Sequence, residues 1–125
     1  MQSREQTFAK AIYDQVKTYA DGHPRDSDER KKYGSMAHKL PILVRTAGLV
    51  QALAFVHSRD KPPHKELLGH LAQIVADANS DTFLRKSREA DLPEYIYLTE
   101  RTMLALKWYK RFAQSVLEVE TTEGD

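Results

Sequence analysis

Five histidines (His23, His38, His57, His64 and His70) and 18 acidic residues are the groups in this 125-residue chain that could ligate a metal or move protons. Two ligands on one helical face need a spacing of three or four residues. His64 and His70 are six apart, which turns them about 120° away from each other. His70 and Asp77 share a face, but seven residues of helix hold them roughly 10 Å apart, too far for one ion. His57 and Asp60 have a usable spacing and no evident third ligand. There is no cysteine, which excludes disulfides, thiolate nucleophiles and cysteine-bound zinc. The five glycines, at positions 22, 34, 48, 69 and 124, are isolated, so no phosphate-cradling loop is visible. No G-x-S-x-G elbow and no H-E-x-x-H pair occurs either. Most acids sit at helix starts or opposite a base, where capping and ion pairing account for them. The expectation is a chain without catalytic residues, metal or cofactor.

Cations are the remaining candidates. Lys107, Lys110 and Arg111 fall within about 100° of one another on a helix, beside Trp108 and Tyr109, with Arg101 one to two turns away. Ammonium and guanidinium groups beside aromatic rings are what a nucleic-acid groove uses, charges for phosphates and rings for stacking. A solvated helix face whose aromatics belong to the core is the plainer alternative. Arg45 interrupts the most apolar stretch, so it must reach solvent, pair with a carboxylate or face a ligand. Lys39 lies nearby, just before Pro41. Arg30-Lys31-Lys32 is a weaker candidate, because Asp26 and Asp28 stand at i, i+4 spacing to pair with Arg30 and Lys32.

Composition sets the frame. With 41% hydrophobic and 30% charged residues, the chain is neither disordered throughout nor a membrane protein. No window offers the roughly 18 apolar residues of a membrane-spanning helix. The polar start, Met1-Gln2-Ser3-Arg4-Glu5, has no signal-peptide pattern, and a cytoplasmic protein is expected. A net charge of +1 conceals an asymmetry. Glu118, Glu120, Glu123 and Asp125 lie in the last eight positions, where there is no Lys or Arg. The body before them carries 19 bases against 14 acids, which permits a polyanionic partner. Residues 1–117 are therefore expected to form one helical domain, and 118–125 an acidic, disordered tail.

The elements that must position these groups read as helices. Phe8, Ile12, Val16 and Tyr19 mark one face from about Ser3 to Ala20, with Ser3 and Gln6 as a capping box. A second helix starts near Asp26 or Ser27, with Glu29 reaching back, and Pro41 should end or kink it. Pro41 to Val56 reads as a buried helix, and Gly48 within it suggests close approach by a neighbour. Leu67, Leu68, Leu71 and Ala78 mark a fourth helix from about Lys65 to Ala78. Thr82 to Glu89 forms a short fifth. Asp91 caps a long last helix through Leu98, Leu106, Tyr109 and Val116. Only Tyr95-Ile96-Tyr97 is strand-like, and it has no partner strand. The class is all-α, a single-domain bundle of five to seven helices.

Two segments carry a family likeness. Residues 33 to 55 hold Tyr33-Gly34-Ser35, Leu40-Pro41, Gly48-Leu49 and Leu53-Ala54-Phe55. Residues 97 to 113 hold a Thr near the helix start and Trp108-Tyr109-Lys110-Arg111-Phe112-Ala113. Together they resemble the small-subunit family of the type III-B CRISPR (Cmr) RNA-guided effector complex. The resemblance covers roughly residues 5 to 117. It implies an all-α subunit without nuclease activity that stacks in several copies. Those copies lie beside repeated backbone subunits carrying the guide RNA and next to a large polymerase-like subunit. The row then forms part of the channel for the guide and target RNA, while cleavage belongs to the backbone subunits. A groove that tracks phosphates irrespective of sequence needs spaced cations. On the charge argument Lys39, Arg45, Arg101, Lys107, Lys110 and Arg111 are the candidates to line it. The rival expectations are a structural spacer whose apolar faces stack without touching RNA, and a metal-dependent helical nuclease using His57, His64 or His70. No helix-turn-helix pattern supports a regulator of double-stranded DNA.

Overall fold

The computed structural model describes residues 1–120. Six helices make up the described chain, and no strand occurs among those residues: α1 (Arg4–Asp21), α2 (Asp28–Ala47), α3 (Leu49–Arg59), α4 (Pro62–Ala76), α5 (Ser80–Glu89) and α6 (Leu92–Ser115). The all-α expectation of five to seven helices is met, and Tyr95-Ile96-Tyr97 is helical.

Local chemistry sets most of the boundaries. Ser3 and Gln6 form the reciprocal capping box of α1. The side chains of Ser27, Asn79 and Asp91 accept from the backbone N–H three residues on, at the starts of α2, α5 and α6. Glu29 does not reach back as expected. With Ser27 as the cap, the third helical position is Arg30, which has no acceptor to offer.

Pro41 does not end α2. The helix runs through it to Ala47, with Pro41 buried in the middle. Leu40 and Val44 are likewise buried, and their packing holds together a turn that has lost one N–H donor. The break falls at Gly48, whose φ of 90° and ψ of 161° lie in a region open essentially to glycine alone. This corrects the reason expected for that residue. A Cβ on Gly48 would meet only the Tyr95 hydroxyl at 3.5 Å, so backbone conformation, and not a close neighbour, requires glycine there. The close approach occurs at Gly34, where a Cβ would stand 2.6 Å from Cβ of Val119.

α2 and α6 form the centre and run in opposite directions. Tyr95, near the start of α6, offers its hydroxyl oxygen to Val50 N–H at 3.2 Å, just beyond the end of α2. Val119, after the end of α6, lies against Gly34 near the start of α2. Tyr33 and Tyr109 are the largest wholly buried side chains, with Phe83, Ile12 and a set of leucines around them. Tyr109 donates to Gln15, whose amide donates to the His70 carbonyl at 3.2 Å, joining α6, α1 and α4.

The boundary expected at residue 117 moves. Leu117 and Val119 are buried. Val119 N–H donates to the Ala113 carbonyl at 2.9 Å, and its own carbonyl accepts from His38 Nε2 at 2.8 Å. Glu118 pairs with Arg25. Residues 118–120 thus pack on the body, because two apolar side chains in an acidic-looking segment have a core to enter. The remainder of the expected tail, 121–125, lies outside the described residues.

Candidate nucleic-acid interface

α6 sorts its exposed face by chemistry. Its stretch up to Leu104 exposes Leu92, Ile96, Tyr97 and Leu104 as well as Glu94 and Glu100. Its C-terminal half exposes Lys107, Lys110 and Arg111. Lys107 Nζ stands 3.4 Å from a Glu5 carboxylate oxygen in a pair more than half exposed on both sides, which holds it only weakly. Among the described residues no carboxylate is paired with Lys110 or Arg111. This trio is the part of the expected site that the fold keeps together and open.

The other expected cations have different surroundings. Arg45 lies exposed in the last turn of α2, so of its three possibilities it takes solvent, where it also favours the negative helix end. Lys39 is half-buried, its Nζ 6.0 Å from the centroid of Phe55, and Arg59 stands over the same ring at 5.5 Å. Arg101 is turned into the protein. Its guanidinium donates to the Val75 carbonyl at 3.2 Å and the Ile74 carbonyl at 3.4 Å, and lies 5.1 Å from the Phe8 ring and 5.5 Å from the Tyr97 ring. Those carbonyls belong to the last turn of α4, which has no following N–H to satisfy them. Arg101 is a helix cap from a neighbouring element, with fewer donors left for a groove than the exposed trio.

Arg30 does the same at another helix end. It donates to the Ala20 carbonyl at 2.8 Å, the His23 carbonyl at 3.0 Å and the Leu117 carbonyl at 3.4 Å. The pairing expected with Asp26 is replaced by these acceptors, while Asp28 and Lys32 do pair.

The aromatics beside the trio belong to the core. Tyr109 is wholly buried, and Trp108 is partly buried and stacked on Phe112 with centroids 5.7 Å apart. Packing takes up much of the stacking platform expected there, with Trp108 and Phe112 left partly exposed and the exposed Tyr13 edge-on to Phe112 at 5.4 Å.

Among the described residues no group of three or more His, Asp or Glu side chains is placed to hold a metal ion. His38 and His64 are buried. His70 lies between the Tyr33 hydroxyl, 2.8 Å from Nδ1, and Glu66, 3.1 Å from Nε2. One tautomer serves both contacts, accepting from the tyrosine and donating to the carboxylate. Burial, partly offset by Glu66, lowers its pKa. An open groove of about 580 Å³ beside it includes Asp14, Glu29 and Glu66 and no Lys or Arg in its lining, so it repels a polyanion. No helix is long and apolar enough to cross a membrane among the described residues.

Six helices around one core, with Lys107, Lys110 and Arg111 exposed on the last of them, make this a small all-α protein. Residues 4–116 match the family described as CRISPR-associated protein (Cas_Cmr5). The chain is 43% identical over 118 residues to the CRISPR system Cmr subunit Cmr5 of Thermus thermophilus, covering 94% of this chain and 99% of that protein. Its fold is similar to the crystal structure of a CRISPR-associated Cmr5 family protein from the same organism. The TM-score is 0.83 at 42% identity, covering 93% of this chain and 98% of that one. The chain belongs to the Cmr5 family.

Proposed function

We propose that this chain is a non-catalytic small subunit of a type III-B CRISPR (Cmr) RNA-guided effector complex in the cytoplasm. It stacks in several copies beside the repeated backbone subunits and the large polymerase-like subunit, and lines part of the channel holding guide and target RNA. Support for membership of the complex comes from the 43% identity to a protein described as a Cmr subunit. One observation carries the RNA role: Lys110 and Arg111 are exposed beside Lys107, with no paired carboxylate of their own among the described residues. Phosphates bind such a face irrespective of sequence. Arg45 and Lys39 extend it, and Arg101 does not. The exposed apolar residues of α6, with Ile42 exposed on α2, suit protein contacts, so stacking and RNA binding use different parts of the surface.

The test is target-RNA binding by the reconstituted complex over a salt series, with and without K107A/K110A/R111A. Each lost phosphate contact flattens the slope of log affinity against log salt by about 0.7 to 0.9. The triple variant should therefore lose roughly 2 from the slope. An unchanged slope, with assembly broken instead by L104E or I96D, would establish the spacer reading.

A further inference from the structure

The α3–α4 turn gathers a second set of cations that spacing alone does not assemble. Lys39 from α2 and Arg59 from the end of α3 stand over the same Phe55 ring, at 6.0 Å and 5.5 Å. Two residues after Arg59, the exposed Lys61 is the N-cap of α4. That helix start has no side-chain cap and no acid in its first turn, and it opens with two prolines. Its positive end therefore adds to the local charge. The nearby acids Asp28 and Asp60 are occupied by Lys32 and Lys65. Among the described residues no carboxylate is paired with Arg59 or Lys61. His64 lies buried beside them, only 3% exposed, its Nδ1 without a hydrogen-bond partner. Burial first, then the charges of Arg59, Lys61, Lys32 and Lys39, hold its pKa below the ordinary histidine range.

Like charges gathered at one spot, Arg59 and Lys61 foremost, repel unless an anion joins them. Their spread along a turn suits successive phosphates better than one carboxylate. We propose that Arg59 and Lys61 form a second phosphate-binding patch at the α3–α4 turn that takes the backbone of an RNA strand. This rests on the RNA-channel reading and extends it to residues outside the α6 trio.

The experiment is an NMR titration of the isotope-labelled full chain with a 12-nucleotide oligouridylate, alongside K61Q, R59Q/K61Q and K107A/K110A/R111A. Expected are amide shifts at residues 59–64 and a rise of roughly one unit in the His64 titration midpoint as a phosphate charge arrives. R59Q/K61Q should flatten the salt slope by about 1.4, two contacts to a single strand. K61Q, an exposed change that leaves the core intact, should remove half of that. Shifts confined to α6, with His64 unmoved, overturn this patch and leave the channel reading standing. Shifts at neither face overturn both. Stronger shifts at 59–64 with polyglutamate than with RNA overturn the assignment to phosphate.

Discussion

Replacing Gly34 by alanine tests how the C-terminal segment is held. In the interior of a helix this change ordinarily stabilises by about 1 kcal/mol. Here the new Cβ would stand 2.6, 2.8 and 2.9 Å from Cβ, Cγ2 and Cγ1 of Val119, distances that atoms in contact do not adopt. All three belong to a short branched side chain close to its backbone, so the segment itself must move. Displacing Val119 forfeits its burial, about 1.5 to 2 kcal/mol. It also takes the Val119 carbonyl from His38 Nε2, and leaving a buried donor unpaired costs about 1 to 3 kcal/mol. Against the propensity gain, the net is a destabilisation of about 2 kcal/mol. In urea denaturation this should appear as a midpoint roughly 1 M lower. The control reverses the sign. V119G removes the three obstructing atoms, so G34A added to V119G should raise the midpoint and give a coupling near 3 kcal/mol. A G34A protein more stable than the parent in the unaltered background would refute the reasoning.

Three further outcomes follow from the same structure. G48A should destabilise by about 1 to 3 kcal/mol, because φ 90° with ψ 161° admits little but glycine; the readout is thermal denaturation. R101M should destabilise by about 2 kcal/mol through the uncapped Ile74 and Val75 carbonyls and the lost cover over Phe8. RNA affinity of the complex folded with it should stay within about twofold; a drop as large as that of K107A/K110A/R111A would return Arg101 to the groove. His64 gives the pH dependence. Its pKa is depressed in the fold, so below about 6.5 the unfolded chain takes up a proton that the folded chain refuses. Stability from this group is full above that pH and falls as the pH drops. H64Q should reduce the slope of stability against pH just below about 6.5; an unchanged slope would show that His64 protonates freely in the fold.

Most of the fold is legible in the sequence because apolar spacing and caps are local. Phe8, Ile12, Val16 and Tyr19 share a face in any helix, and all four are buried. Ser3 with Gln6 closes a box within a single turn. Pro41 and Gly48 mislead because each has two physical readings. Proline breaks an isolated helix, yet burial of Leu40 and Val44 carries α2 past it. Glycine in an apolar run serves close packing or a positive φ, and only the backbone tells which. The acidic end misleads for a similar reason: four carboxylates outweigh Leu117 and Val119 in any count of charge, although those two side chains decide where the segment goes.

The site is legible to a lesser degree, because a cation's role depends on what lies across from it. Arg30 and Arg101 each have a plausible local reading, an ion pair with Asp26 or a place among α6's basic residues. Both are taken instead by carbonyls at or near the ends of α1 and α4. Tyr95 meets the corresponding need of the N–H groups at the start of α3, where Gly48 supplies no side-chain cap. The ends of α1 and α4 and the start of α3 are thus satisfied by side chains from other helices, and the guanidinium's several fixed donors suit that work. The cations left over have no such assignment: Arg45, Lys110 and Arg111 reach solvent, and Lys107 has only an exposed partner. With Tyr109 wholly buried and Trp108 partly so, these residues offer mainly charge. On the RNA role proposed above, a face of that kind would hold a strand by its backbone and leave sequence to be read elsewhere, which is the division of labour an RNA-guided assembly requires.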